Sequence, residues 1–223
     1  MRVLLIAGIM AGVLAGLAVT AIQLLEAVPL IHAAEVYEAA AAGAQAQGGH
    51  DSAAASAGIA RRLGTLGANL LAGIGYGLLV AAGLALMRHS GWRRGLLWGL
   101  AGFAAFSLAP AQGLPTELPG AEAADLELRQ AWWAATAAAT AAGLALIFLT
   151  RRWPLAALGV GLLIAPHAIG APQPEIAGGS APEAMAHAFV SATLVANALF
   201  WAVLGASAGE LYGRLIRGTG RTA

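Results

Sequence analysis

The sequence contains no cysteine and no lysine, and it has few charged residues of any kind. Without cysteine the chain can form neither disulfide bonds nor thiolate metal sites. Without lysine it cannot build a phosphate-binding P-loop, which needs that side chain. Only 10% of the residues are charged, whereas a soluble domain carries about 25%. So few charges cannot cover a surface that faces water, but they suit a surface that faces lipid.

Motifs that carry enzyme chemistry are also missing from the sequence. There is no nucleophile elbow of the type found in serine hydrolases, and no helix with the paired histidines of a zinc protease. No pattern indicates binding to nucleic acid. We therefore expect neither an enzyme nor a nucleic-acid-binding protein.

Long apolar runs dominate what is present, because 59% of the residues are hydrophobic. A helix that crosses a bilayer needs about 20 apolar residues. The sequence predicts an all-α, polytopic membrane helix bundle, a single transmembrane domain over residues 1–223. Its six predicted helices cover about 3–30, 63–87, 95–108, 131–149, 153–169 and 184–211. The run 153–169 is short and is also open to interpretation as a re-entrant or tilted segment.

Two further expectations concern the N-terminal part of the chain. The first apolar run exceeds the 7–15 residues of a signal-peptide core, so we expect it to be retained as a helix. The Gly- and Ala-rich segment 39–58 is expected to be a mobile loop on the outer side.

The arginines give the orientation of the bundle. With six helices and a cytoplasmic N-terminus, nine of the twelve arginines fall on the cytoplasmic side and three on the outer side. This asymmetry is the positive-inside pattern of membrane proteins. We therefore predict that both termini are cytoplasmic. The cytoplasmic set is Arg2, Arg88, Arg93, Arg94, Arg151, Arg152, Arg214, Arg217 and Arg221.

Glycines recur every fourth residue on the first and last predicted helices. The two stripes are Gly8, Gly12 and Gly16, and Gly205, Gly209 and Gly213. Such stripes allow helix backbones to approach closely in lipid, although a chain with 30 glycines also produces some spacing by chance. Close packing leaves open a function of another class, that of a structural or assembly subunit that packs through its Gly-rich faces in a larger membrane complex.

Histidines and carboxylates indicate a metal site at the outer ends of the first, fifth and sixth helices. Nine of the eleven acids fall on the predicted outer side, where they would concentrate cations. Imidazole and carboxylate together suit divalent zinc, nickel, cobalt or iron. The predicted metal ligands are Glu26, His32, Glu35, His167 and His187, with His50 as a weaker candidate. The alternative for each histidine is an ordinary residue of the membrane interface.

Glu26 receives a separate hypothesis because it lies inside the first apolar run. A carboxylate in the hydrocarbon region is costly, so it usually faces the bundle interior and marks a pathway. Gln23, one turn earlier, could form a hydrogen bond with it. The alternative is an interfacial glutamate that reaches the outer headgroups. Asn69 and Asn197 are expected to hold helices together rather than to bind a ligand.

The three predicted outward-going helices end alike, each with a proline. Their ends are Ala27-Val28-Pro29-Leu30, Leu108-Ala109-Pro110-Ala111 and Ile164-Ala165-Pro166-His167. This likeness suggests three helical hairpins related by an axis along the membrane normal. Because prolines are common where helices end, the likeness could also arise without any repeat.

Several short motifs run in order over nearly the whole chain. They are Ala27-Val28-Pro29-Leu30-Ile31 with Glu35-Val36-Tyr37-Glu38; Gly95-Leu96-Leu97-Trp98-Gly99; Leu108-Ala109-Pro110 with Gly113-Leu114-Pro115; Arg129-Gln130 with Trp132-Trp133; Pro166-His167 with Ile169-Gly170-Ala171-Pro172; and Asn197-Ala198-Leu199-Phe200-Trp201. On these motifs the chain resembles the CbtA family, proposed cobalt-transporter subunits of bacteria.

The resemblance implies a function and a partner. It implies uptake of cobalt across the bacterial inner membrane, with the divalent cation as transported ligand and no cofactor bound permanently. It also implies a small one-helix partner, CbtB, that has a His-rich end. Membrane lipids are the other expected partners. The first outer loop is often rich in histidine and acid in such proteins, whereas here it is rich in Ala and Gly.

Overall fold

The computed structural model describes residues 1–43, 51–175 and 178–219. Within these ranges the chain forms six helices, if α-helical segments joined by a π-helical turn are counted as one helix. These helices are α1 (Arg2–Ala41), α2 (Asp51–Leu86), α3 (residues 92–111), α4 (Leu126–Leu149), α5 (Trp153–Ile169) and α6 (Glu183–Thr219). The β pairing of the described ranges is an isolated bridge between Ala121 and Gly179. The fold is therefore all-helical, as predicted.

Four stretches of helix are long and apolar enough to cross a membrane. They are Arg2–Ala41, Gly58–Leu86, Leu126–Leu149 and Glu183–Gly218. The apolar helix α5 is shorter, with 17 residues. These lengths and compositions are those of a helical membrane bundle. The number of six spans and the cytoplasmic location of both termini stay predictions.

Part of the loop predicted over residues 39–58 is helical. Helix α1 continues to Ala41, and α2 begins at Asp51. Alanine is the strongest helix former, and this segment is rich in it, which explains why helix extends into it from both sides. Residues 44–50, with the weaker candidate His50, lie outside the described residues.

Two prolines are accommodated by π-helical turns, which explains why α1 does not end at Pro29. The turn Gln23–Ala27 precedes Pro29, and the turn Ala104–Leu108 precedes Pro110. In each, the residue before the proline donates its N–H to a carbonyl five residues back. A proline has no N–H, and its ring clashes with the carbonyl four residues earlier. The wider turn relieves that clash and lets the helix continue.

The third proline of the suggested repeat behaves differently. Pro166 lies within the regular α-helix α5, which ends three residues later at Ile169. Gly170 follows with φ of 88° and donates its N–H to the Pro166 carbonyl. Two of the three segments of the suggested repeat therefore share a π turn at the same position relative to proline, and the third does not.

Contacts within the chain divide it into two compact units. Unit 1 comprises Met1–Val28, Gly43–Leu100 and Val195–Ala223, and unit 2 comprises Pro29–Ala42 and Ala101–Leu194. Apolar side chains fill the core of unit 1; among them are Val19, Val80, Leu84, Phe200, Trp201 and Leu204. The ring of Tyr76 lies 4.8 Å from the ring of Trp201. Within this unit, α1 and α2 pack against each other through glycines.

The first glycine stripe of unit 1 packs directly against the backbone of α2. A Cβ atom at Gly16 would lie 2.8 Å from the carbonyl oxygen of Asn69, and one at Gly8 would lie 2.9 Å from the Cα of Leu78. Gly12 faces Gly73 just as closely. The partner number falls as the α1 number rises, so the two helices are antiparallel. Only glycine permits this approach of two backbones.

The second glycine stripe joins α3 to α6 in the same unit. A Cβ at Gly95 would lie 2.9 Å from the Cα of Gly209, and one at Gly205 would lie 2.7 Å from the Cα of Gly99. The N–H of Gly91 donates to the carbonyl of Gly209 at 2.8 Å. Both glycine stripes singled out in the sequence therefore pack within this chain.

Unit 2 is built around α4 and α5, which approach through one glycine from each helix. A Cβ at Gly143 would lie 2.7 Å from the carbonyl oxygen of Gly159. Two connecting segments are tied together beyond the helices. The N–H of Glu122 donates to the carbonyl of Gly178 at 3.0 Å, and the N–H of Ser180 donates to the carbonyl of Gly120 at 3.2 Å.

Candidate functional site

His32 and Glu35 form a pair on α1 in unit 2. Because the helix continues past Pro29, the two residues lie one turn apart on one face. The Nδ1 of His32 lies 3.1 Å from Oε2 of Glu35. When the neutral ring donates its Nδ1–H to this carboxylate, the lone pair on Nε2 stays free. Metal-binding histidines are commonly oriented by a carboxylate in this way.

His187 has a similar neighbour at the start of α6. Its Nε2 lies 3.4 Å from Oε1 of Glu183, one turn earlier. Both side chains are well exposed, at 77% and 90% of their full accessible area. In this pair the Nδ1 of the imidazole is the nitrogen left available. The pair belongs to unit 2, as does the pair of His32 and Glu35.

His167 lies against an aromatic ring rather than a carboxylate. Its ring centre is 6.0 Å from that of Trp132, and the two rings meet edge to face. The indole Nε1 of Trp132 donates to the carbonyl of Pro166 at 3.3 Å. This side chain therefore ties α4 to the C-terminal end of α5. The indole thus fixes the chain beside His167.

The first turn of α4 is stabilised by a capping aspartate and by an ion pair. Asp125 accepts hydrogen bonds from the N–H groups of Glu127 and Leu128 at 3.0 and 3.1 Å, which is the usual way an aspartate caps a helix. Arg129 donates to Glu117 at 2.9 Å. These contacts fix the segment between α3 and α4 near Trp132.

Glu26 does not face the interior of unit 1, and its role on an ion pathway stays a prediction. Its side chain is exposed in unit 1, and it forms no hydrogen bond or ion pair with any described residue. The possible bond between Gln23 and Glu26 is not found among the described residues; Gln23 Oε1 accepts a hydrogen bond from Asn69 Nδ2 at 2.7 Å. Gln23 and Glu26 both belong to the π turn, which has more residues per turn than an α-helix, so residues three apart overlap less around the helix axis.

Asn69 forms the centre of a polar network between α1 and α2. Its Nδ2 also donates to Thr20 Oγ1 at 2.9 Å, and Thr20 donates to the carbonyl of Gly16 at 2.7 Å. Asn69 therefore joins two helices inside the apolar part of unit 1, as expected of an intramembrane asparagine.

That the five predicted ligands form a metal site stays a prediction. Among the residues that the structure describes, no three side chains of His, Asp or Glu lie close enough together to hold a metal ion. The arrangement in unit 2 consists of two separate histidine–carboxylate pairs and His167 beside Trp132. Each pair supplies at most two of the three or more ligands that a stable transition-metal site needs.

Three buried hydroxyl groups were missed in the sequence. Thr136 and Thr140 on α4 are 0% and 3% exposed, and neither side-chain oxygen has a hydrogen-bond partner among the described residues. The side-chain oxygen of Ser180 is also buried without a partner there. All three lie in unit 2. The spacing of two threonines four residues apart in an Ala-rich helix was the available signal, because it places them on one face.

Comparison of the sequence with protein families identifies the family of this chain. The model of the CbtA family, described as "Probable cobalt transporter subunit", matches residues 1–213 of the chain. The chain belongs to the CbtA family. No curated protein and no solved structure matches this CbtA chain. Membership of CbtA, together with four apolar helices long enough to cross a bilayer, identifies a membrane protein of a cobalt-transport family.

Proposed function

We propose that this chain is the membrane subunit of a divalent cobalt uptake system in the bacterial inner membrane. The observation that carries the proposal is the match to the cobalt-transporter family over residues 1–213. The histidine–carboxylate pairs of unit 2 support it, because neutral imidazole and carboxylate suit divalent cobalt. In this proposal the chain moves the ion, catalyses no reaction and keeps no cofactor.

We further propose that six helices span the membrane, with both termini in the cytoplasm. Four helices have the required length and apolar composition, and α3 and α5 would be the other two. The 17 residues of α5 rise by about 25 Å, which is near the lower limit for a span. The arginine asymmetry supports this orientation.

In the proposed uptake route, the ion is first held at the outer ends of α1, α5 and α6. His32 and Glu35 supply one pair of ligands, and His167 and His187 supply further imidazoles. Glu26, farther along α1, would accept the ion within the hydrocarbon region. A transported ion must be able to leave, so weak and separate pairs serve transport better than a closed cage.

A small one-helix partner of the CbtB type is part of the proposal. The family description calls these proteins subunits, which implies a complex. The described part of this chain has no group of three metal-binding side chains. A His-rich partner segment would complete the coordination that the exposed pairs of His32 and His187 begin.

The alternative of a structural subunit depends on Gly-rich faces being free to bind another protein. The two stripes that suggested it are buried against α2 and α3 of the same chain. They are therefore not available to a partner. This observation favours transport over assembly as the function.

Site variants test the proposed route in cells that depend on this system for cobalt. We expect His32→Ala, Glu35→Gln and His187→Ala each to raise the cobalt concentration for half-maximal uptake by about tenfold to a hundredfold, as loss of ligands or their carboxylate neighbours does elsewhere. Glu26→Ala should lower uptake while leaving the amount of protein unchanged. The control is Glu127→Gln, which removes an exposed outer carboxylate that has no histidine partner. Uptake in the site variants equal to that of the control would exclude these residues from the route.

A further inference from the structure

The side-chain oxygens of Thr136 and Thr140 differ from those of several other serines and threonines among the described residues. A helical serine or threonine normally satisfies its hydroxyl by donating to the carbonyl four residues earlier. Among the described residues, Thr20, Thr65, Ser191 and Ser207 do so within helices, and Thr150 does so at the C-cap of α4. The oxygens of Thr136 and Thr140 are buried in α4 without such a bond. A buried hydroxyl that has no partner is costly, so a pair of them calls for an explanation.

The two threonines lie on a defined line along α4. Trp132, Thr136 and Thr140 follow at intervals of four residues, so they lie on one face of the helix. At the outer end of this face Trp132 bonds to the Pro166 carbonyl and touches His167. Farther along, Gly143 faces Gly159 of α5. Thr136 and Thr140 therefore lie between two contacts of α4 with α5.

We propose that Thr136 and Thr140 line a hydrated segment of the cation route within unit 2, reached from His167 past Trp132. The proposal rests on the function proposed above and adds a face of α4 to the residues of the proposed route. Hydroxyls are weak ligands for a bare transition metal, but they can donate to and accept from the water shell of a hydrated divalent cation. His167 would receive the ion at the outer end of this route.

Thiol accessibility tests the proposal directly, because the natural chain contains no cysteine. Thr136→Cys and Thr140→Cys are compared with Ala137→Cys on the same helix, whose native side chain is equally buried at 3% exposure but carries no hydroxyl. The variants are reacted with a small, charged, water-soluble thiol reagent in intact membranes. A thiol reacts as its thiolate, which needs water, so we expect the threonine positions to react on the order of tenfold faster. Added cobalt should slow the reaction.

Isosteric variants give a second test that does not depend on cysteine being tolerated. Thr136→Val and Thr140→Val remove the hydroxyls and keep the shape. We expect each to lower cobalt uptake about tenfold, because the water shell then loses a hydrogen-bonding partner. The thermal midpoint of the purified protein should stay the same or rise. Thr140→Ser, which keeps a hydroxyl, should restore most of the uptake.

The outcomes separate this proposal from the proposed function. Equal reaction rates at positions 136, 137 and 140, or normal uptake in both valine variants, would overturn the hydrated segment. A lower thermal midpoint in the valine variants would also overturn it, since the hydroxyls would then be bonded to protein and structural. Failure of the unaltered chain to take up cobalt would instead refute the proposed function, while the labelling comparison would still report on water at these positions.

Discussion

Replacing Gly12 by alanine adds one methyl group to a contact between two helix backbones. The new Cβ would lie 2.5 Å from the Cα of Ile74 and would also meet the backbone of Gly73. Carbon atoms in ordinary contact lie about 3.5–4.0 Å apart, so α1 and α2 would have to separate by about 1 Å. Neither obstacle is the end of a flexible side chain, so the helices themselves must move.

The expected magnitude follows from comparison with a matched glycine. Overpacking of this kind costs about 1–3 kcal/mol. Gly75→Ala is the control, because a Cβ at Gly75 meets nothing within 4 Å. Both substitutions gain the same preference of alanine for helix, about 0.5–1 kcal/mol. The difference between the two variants therefore isolates the steric cost, and we expect Gly12→Ala to be less stable by about 1–3 kcal/mol.

The comparison is measured by unfolding the purified protein in mixed detergent and following tryptophan fluorescence. Trp201 is one of six tryptophans and is buried in unit 1 beside Tyr76, so its contribution to the fluorescence reports on this unit. We expect the midpoint of Gly12→Ala to fall below that of the unaltered chain and that of Gly75→Ala to stay level or rise. Equal midpoints for the two variants would refute the close packing of α1 against α2.

Two further predictions concern polar contacts. Asn69→Ala removes the hydrogen bonds to Thr20 and Gln23. Because hydrogen bonds between membrane helices average about 0.6 kcal/mol each, we expect the free energy of unfolding to fall by about 1 kcal/mol in the same assay. No change would mean that the network adds no stability. Arg129→Gln breaks the ion pair with Glu117. Exposed ion pairs contribute at most about 1 kcal/mol and are screened by salt. The thermal midpoint should therefore fall only slightly, and the difference should shrink at high salt. A large drop that does not depend on salt would show that Arg129 has another role.

The sequence was sufficient to predict the class of fold, because apolar runs and arginine placement follow from the bilayer itself. Its glycine stripes indicated close packing, but they did not reveal that the stripe at Gly205 meets Gly95 and Gly99, since pairing partners depend on the tertiary arrangement. Proline was expected to end the first helix. The π turn before Pro29 overrides that expectation, because it lets the helix continue to Ala41.

The candidate site was predicted less completely than the fold. The pairing of His32 with Glu35 could be predicted, because residues three apart on a helix are neighbours. The contact of His167 with Trp132 could not, since it joins two helices and the two residues are 35 positions apart in the sequence. Thr136 and Thr140 escaped notice because a threonine hydroxyl usually bonds to its own helix, and only the structure distinguishes those that do not.

Transport of cobalt is the central claim, and uptake of radioactive cobalt tests it most directly. The assay compares cells that lack their own cobalt transport and make this chain, with and without its one-helix partner, against cells that make neither. We predict accumulation of cobalt above the control when both are made, and loss of most of that accumulation with His32→Ala. Accumulation no greater than in the control, with the chain present in the membrane, would contradict the claim.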